Sequence, residues 1–299
     1  MRGPVEQEAP ATTEVPRRGG PTVLRLMLGA RLRELRESKG ITAEDAGYVI
    51  RGSQSKISRL ELGRVGVKER DIADLLRLYG VTDETEREAL LSLAREANVP
   101  GWWERFNEVV PSWRGTYIGL EEAASMIRGY EAHRIPDLLQ TEEYARAVAT
   151  MQLGDTSESD VERRVDFQRR RQRLVTEANH PRLWFVLDEA ALRRAPCDAL
   201  AMRAQLEHLI ELTRDTAVSL QILPFHKRYP ATNSFTILRF SRRELPDLVY
   251  LEQLDSALHL DRPADVELYV GYLNRLVVIA EPVTATEKIL QTLIKELSE

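Results

Sequence analysis

The chain has 299 residues, 43% of them hydrophobic and 30% charged, with a net charge of −5. That length suits two domains with a sizeable core, and it contains no run of about 18 apolar residues to cross a membrane. A single cysteine, Cys197, excludes an intrachain disulfide and fits a cytoplasmic setting, and the overall acidity does not announce a nucleic-acid binder.

Taken in order, residues 1–22 predict a disordered tail. Pro4, Pro10, Pro16 and Pro21 interrupt it, and it has no apolar signal region. Leu28, Leu32 and Leu35 recur at helical spacing, which predicts a first helix from Leu24 to Lys39, stopped by Gly40. Thr42 followed by Asp45 is a helix-start signature, and Ala46, Val49 and Ile50 share one face of the second helix. Arg51-Gly52 breaks the pattern. Ser53 can then cap a third helix with Ile57 and Leu60 inside, ended by Gly63. Its outer face is Gln54, Ser55, Lys56, Ser58 and Arg59. Gln and Arg can bond base edges in a major groove, and Ser and Lys can bond phosphates; a solvated helix in a small bundle carries the same pattern. A fourth helix is predicted over Glu69–Leu78 and a fifth after Thr82-Asp83-Glu84, ending near Asn98. Residues 24–70 carry a local charge of +5, which leaves −10 for residues 71–299. A basic module on an acidic body grips phosphates at one end only.

The run Gln54-Ser55-Lys56-Ile57-Ser58-Arg59-Leu60-Glu61-x-Gly63-Arg64 resembles the recognition helix of the xenobiotic-response-element (XRE) class of regulators, a phage-repressor-like fold of five helices. The resemblance implies binding to double-stranded DNA, with Gln54, Ser55 and Arg59 reading bases. It implies phosphate contacts from Thr42, Ser53, Lys56, Ser58, Arg64 and Lys68, and a structural pair of Arg36 with Glu61. One departure stands out. The family usually opens its second helix with Thr-Gln, the Gln bonding a phosphate, where this chain has Thr42-Ala43.

Pro100-Gly101 marks the expected domain boundary, giving a DNA-binding domain over 23–99, an aromatic junction over 100–118 and a regulatory domain over 119–299. The junction holds Trp102, Trp103, Phe106, Trp113 and Tyr117, a brace between domains or a ligand cage, the brace being favoured. Beyond it, Gly119–Ile127 is expected to be a helix, and so is Asp160–Ala178. The latter carries Arg169-Arg170-Arg171-Gln172-Arg173, either a basic patch or a solvated face paired with Asp160, Glu162 and Asp166. Strands are predicted at 183–187, 218–223 and 235–240, with a hairpin at 248–252 and 257–260. Helices are predicted at 201–213, 264–279 and 284–297, the last opened by a Thr284…Glu287 capping box. This order indicates an all-α five-helix head and an α+β body with a mostly antiparallel sheet.

Segments of the body, among them Gly101-Trp102-Trp103, Thr116-Tyr117-Ile118-Gly119-Leu120-Glu121, Leu138-Leu139-Gln140-Thr141-Glu142, Gln221-Ile222-Leu223-Pro224-Phe225 and Val249-Tyr250-Leu251-Glu252, resemble the C-terminal domain of a large actinomycete group of helix-turn-helix regulators. That resemblance implies a small partner protein encoded nearby, in some cases an antitoxin-like pairing.

Catalysis finds little support. The five histidines are scattered, and no phosphate-binding glycine loop, nucleophile elbow or metal-ligand spacing is present. No cofactor is expected. The reading is a homodimeric, DNA-binding transcription regulator whose body binds a small partner protein; a body that senses a small molecule is the alternative.

Overall fold

The computed structural model describes residues 20–297 except 155–156, 177–179, 215–216, 230–231 and 243–244. Most of the expected tail lies outside these residues. Its last part does not continue as a tail: α1 spans Pro21–Ser38, with Pro21 at a first-turn position that needs no N–H donor. Thr22 and Val23 are buried there, which explains why the helix begins before Leu24.

Four further helices complete the head: α2 (Ala43–Val49), α3 (Gln54–Glu61), α4 (Glu69–Leu78) and α5 (Glu84–Ala97). Thr42, Ser53 and Asp83 each accept a backbone N–H at a helix start. One apolar core joins them, including Leu28, Leu32, Ile57, Leu60, Ile72, Leu75, Leu76 and Leu91. Close approach matters at one point. A Cβ on Gly29 of α1 would stand 2.4 Å from the Glu61 carbonyl oxygen, so only glycine lets α1 lie this near the C-terminal end of α3.

The body begins with a 3-10 turn at Trp102–Phe106, then α6 (Arg114–Ala123) and β1 (Met126–Glu131). The helix expected over Gly119–Ile127 is therefore displaced. It starts at Arg114, and Ile127 belongs to a central strand, its side chain buried between neighbouring strands and helices. Next come α7 (Glu142–Leu153), α8 (Glu158–Thr176), β2 (Arg182–Asp188), α9 (Glu189–Arg193), α10 (Ala199–Leu212) and β3 (Val218–Leu223). The chain then runs through β4 (Phe235–Arg239), β5 (Leu248–Glu252), β6 (Ala257–Leu260), α11 (Pro263–Ile279) and α12 (Thr286–Glu296). The capping box expected at Thr284 does not form. Val283–Ala285 is a 3-10 turn, and the hydroxyl nearest the helix start, on Thr286, donates to the Leu220 carbonyl.

The six strands lie in the order β3-β2-β1-β4-β5-β6. β1, β2 and β3 pair in parallel, since helical crossovers separate them; β4 adds antiparallel to β1, and β5 and β6 follow antiparallel through short connections. One face of the sheet packs Ile127, Phe185, Leu220 and Leu238 against Leu206, Leu209, Leu290 and Leu293 of α10 and α12. The other packs Tyr130, Val186, Ile237 and Val249 against Val266, Leu273 and Leu276 of α11. Among the described residues no helix is long and apolar enough to cross a membrane.

Candidate nucleic-acid interface

The turn between α2 and α3 sets the interface. Arg51 occupies the left-handed region at φ 52, a conformation that costs a non-glycine residue about 1 kcal/mol or more. A Cβ on Gly47 would touch the Ser53 carbonyl at 3.1 Å, so the two helices meet closely behind the turn. Ile57 and Leu60 anchor α3 in the core. Gln54, Ser55, Ser58 and Arg59 are left on one solvent-exposed face, with Arg59 Nε donating to the Ser55 carbonyl at 3.4 Å. Those four side chains offer amide, hydroxyl and guanidinium donors without a carboxylate among them, which is the chemistry a major groove accepts.

The phosphate set divides. Arg64 and Lys68 are exposed. Thr42 and Ser53 spend their hydroxyls on helix ends: Thr42 Oγ1 accepts from the Asp45 N–H at 3.1 Å and donates to Asp45 Oδ2 at 2.6 Å, and Ser53 Oγ accepts from the Lys56 N–H at 3.2 Å. Lys56 is half-buried and ion-paired to Asp71. The first turn of α2 carries Glu44 and Asp45. Negative side chains there oppose a phosphate at the N-terminal end of α2. Arg64 also faces the body. Burial, with the Arg64 charge adding to it, lowers the His259 imidazole of β6 to about 4, well below the ordinary histidine range. Tyr48 of α2 is 86% exposed beside this surface, a phenol able to donate to a phosphate oxygen. Sequence periodicity passed it over, because a lone aromatic in Ala46-Gly47-Tyr48-Val49-Ile50 looks like core.

Arg36 and Glu61 form a two-point ion pair behind the interface, at 2.6 and 3.0 Å, with Arg36 also donating to the Ile41 carbonyl at 2.9 Å. The pair ties α1 and the start of α2 to the end of α3. Tyr79 packs beside it, its hydroxyl buried and unbonded, and burial raises its phenol above the ordinary range.

The tryptophans and Phe106 of the junction pack as a brace. Trp103 and Phe106 are buried, Trp102 lies on the Phe167 ring at 5.6 Å, and Trp102 Nε1 donates to Glu122. Trp103 occupies the room left by Gly101, Gly115 and Gly119. The arginine run of α8 is not a patch either. Arg171 is buried and bonded to Glu121 at 2.8 and 3.0 Å and to Asp137 at 2.7 Å. Arg169 pairs with Glu142, and Arg170 lies over the Trp102 ring at 4.8 Å. Two of the carboxylates expected to pair with the run have other partners, Asp160 with Ser157 and Glu162 with Arg146, because side chains on adjoining elements reach the run more easily than its own helix does.

A five-helix head with an exposed polar recognition helix, on a six-stranded α+β body, defines a helix-turn-helix regulator. Residues 27–90 match a helix-turn-helix domain family, and residues 114–292 match the family described as Domain of unknown function (DUF5753). The chain belongs to that second family. No curated protein and no solved structure matches it.

Proposed function

We propose that this protein is a cytoplasmic transcription regulator of the actinomycete XRE type, binding duplex DNA as a homodimer. Gln54, Ser55 and Arg59 read bases, while Ser58, Arg64 and Lys68 hold the backbone. The observation that carries this reading is the face of α3: four exposed polar side chains over a buried apolar anchor. A single helix reads only a few base pairs, which is why two copies are needed, with half-sites about 34–36 Å apart. The test is binding of the full chain to a site selected from genomic fragments. Arg59→Ala should lose about 1–3 kcal/mol at one base pair and relax preference there. Unchanged affinity and unchanged preference would reject the assignment of α3 to the groove.

The body has a non-catalytic, regulatory role in this reading. It holds two copies together and receives a signal, from a small partner protein encoded nearby or from a small molecule. Exposed Met151 and Leu200 support the protein partner. A polar cavity supports the small molecule.

A further inference from the structure

Helix α6 and the neighbouring strand ends border an open cavity of about 290 Å³. Its lining combines the apolar side chains of Phe185 and Leu138 with charged groups from separate segments of the chain. Asp137 receives Arg171 at 2.7 Å and also Arg114, which lies 3.4 Å from Glu252 as well. Tyr117 and Tyr250 stack at 4.0 Å between ring centres.

Three features of this lining are unfinished. Arg134 is half-buried and stands 3.6 Å from Asp137 and 3.8 Å from Glu252, close enough to feel both charges but too far for a hydrogen bond. Arg114 Nε and the Tyr250 hydroxyl are buried without any partner, although both side chains are more than nine-tenths covered. Two buried donors here therefore lack an acceptor, and a third cation, Arg134, is held by charge without a hydrogen bond.

The charge balance narrows what can supply it. The guanidiniums of Arg114, Arg134 and Arg171 face the carboxylates of Asp137, Glu121 and Glu252. Glu131 adds a fourth carboxyl, which burial pushes up to about 7 against the pull of Arg134. An anion would meet the carboxylates and a cation the guanidiniums. A molecule carrying both charges meets neither penalty.

We propose that this cavity binds a small zwitterion of the amino-acid or short-peptide class. Its carboxylate accepts from Arg134, Arg114 Nε and the Tyr250 hydroxyl. Its ammonium donates to Glu131 and Glu252, and its carbon skeleton lies on Phe185 and Leu138.

The cavity also borders the element that meets the head. Tyr117 and Glu121 of α6 line it, while Gly119 of α6 lies against Thr22 of α1. α1 in turn carries Gly29 against the Leu60 and Glu61 carbonyls of α3. A ligand that shifts α6 therefore acts through one helix on the recognition helix. This consequence, unlike the binding itself, rests on the DNA-binding reading.

The experiment titrates the full chain by calorimetry with the proteinogenic L-amino acids and the glycyl dipeptides. For each hit it adds two analogues, one lacking the amine and one lacking the carboxylate. A zwitterion should bind at least about tenfold more tightly than either analogue, and Arg134→Gln should weaken it by a similar factor. Arg134 is held by charge without a hydrogen bond, and circular dichroism checks that the variant stays folded; Tyr250→Phe gives a second, milder variant. Absence of binding across both panels, or an analogue binding as tightly as its parent, would overturn the proposal. Repeating the titration with operator DNA present tests the coupling. By linkage the two affinities must differ, and equal values would overturn the coupling while leaving DNA binding by the ligand-free chain as a separate result.

Discussion

Lys56 Nζ of the recognition helix stands 2.6 Å from Asp71 Oδ2 of α4. The pair holds α3 to α4 but spends inside the protein a charge that a phosphate would otherwise use. Asp71→Asn should therefore tighten binding to all duplexes several-fold and steepen the salt dependence by about one counterion. Fluorescence anisotropy over a range of salt concentrations reads both. An unchanged slope would mean Lys56 does not reach the DNA.

Arg36 and Glu61 are both largely buried, 12% and 7% exposed at the side chain. Removing one partner strands the other charge. Glu61→Ala should cost about 3–5 kcal/mol in chemical denaturation, and Arg36→Leu with Glu61→Leu together should cost less than the two single changes added.

A Cβ on Gly119 would lie 2.3 Å from Thr22 Oγ1 and 2.8 Å from the Trp103 ring. Gly119→Val should force α1 away from α6 and cost about 1–3 kcal/mol. The expected signature is a body transition lowered in temperature, with a shift in tryptophan emission because Trp103 gains water. A head-only change in denaturation would contradict this.

Two carboxyls give the body opposite responses to pH. Burial alone would raise Asp137, but Arg114, Arg134 and Arg171 overcome it and hold the group well below the ordinary carboxylate range. Its stabilisation is present above its unfolded value, near 3.8, and is lost as pH falls through the depressed one. Glu131 is raised from 4.5 to about 7, so its folded form keeps a proton that the unfolded chain has released. Stability from that group is complete below about 4.5 and drains away as pH rises to 7. Urea midpoints should therefore fall more gently in acid for Asp137→Asn than for the parent. Above pH 7 they should stand higher, relative to the parent, for Glu131→Gln.

The head was largely legible in the sequence because its signals are local. Thr42, Ser53 and Asp83 announce their helices within three residues, and the actual caps sit on those same residues. The body was harder for an identifiable reason. Ile127 and Tyr130 are as apolar as a helix end, and only pairing with β2 and β4 makes them a strand. The arginine run of α8 was ambiguous because composition cannot say which arginine turns inward; Arg171 does, and its acceptor Glu121 lies 50 residues away. The cavity escaped sequence reading altogether, since its donors come from α6, the loop after β1, α8 and β5, and no spacing links them.

The head draws its apolar core from residues 28–94, whereas the body core includes Leu290 and Leu293 of α12, packed with Leu206 and Leu209. On the ribosome these two events are far apart. At about 5–20 residues per second, roughly 200 residues of synthesis separate a complete head from a complete body, a gap on the order of 10–40 s. During that interval a folded recognition helix is tethered to an unfinished sheet whose β3 lacks the Thr286 contact at Leu220. Newborn chains thus pass through a stage in which the head has all of its core residues while the body still lacks those of its last helix.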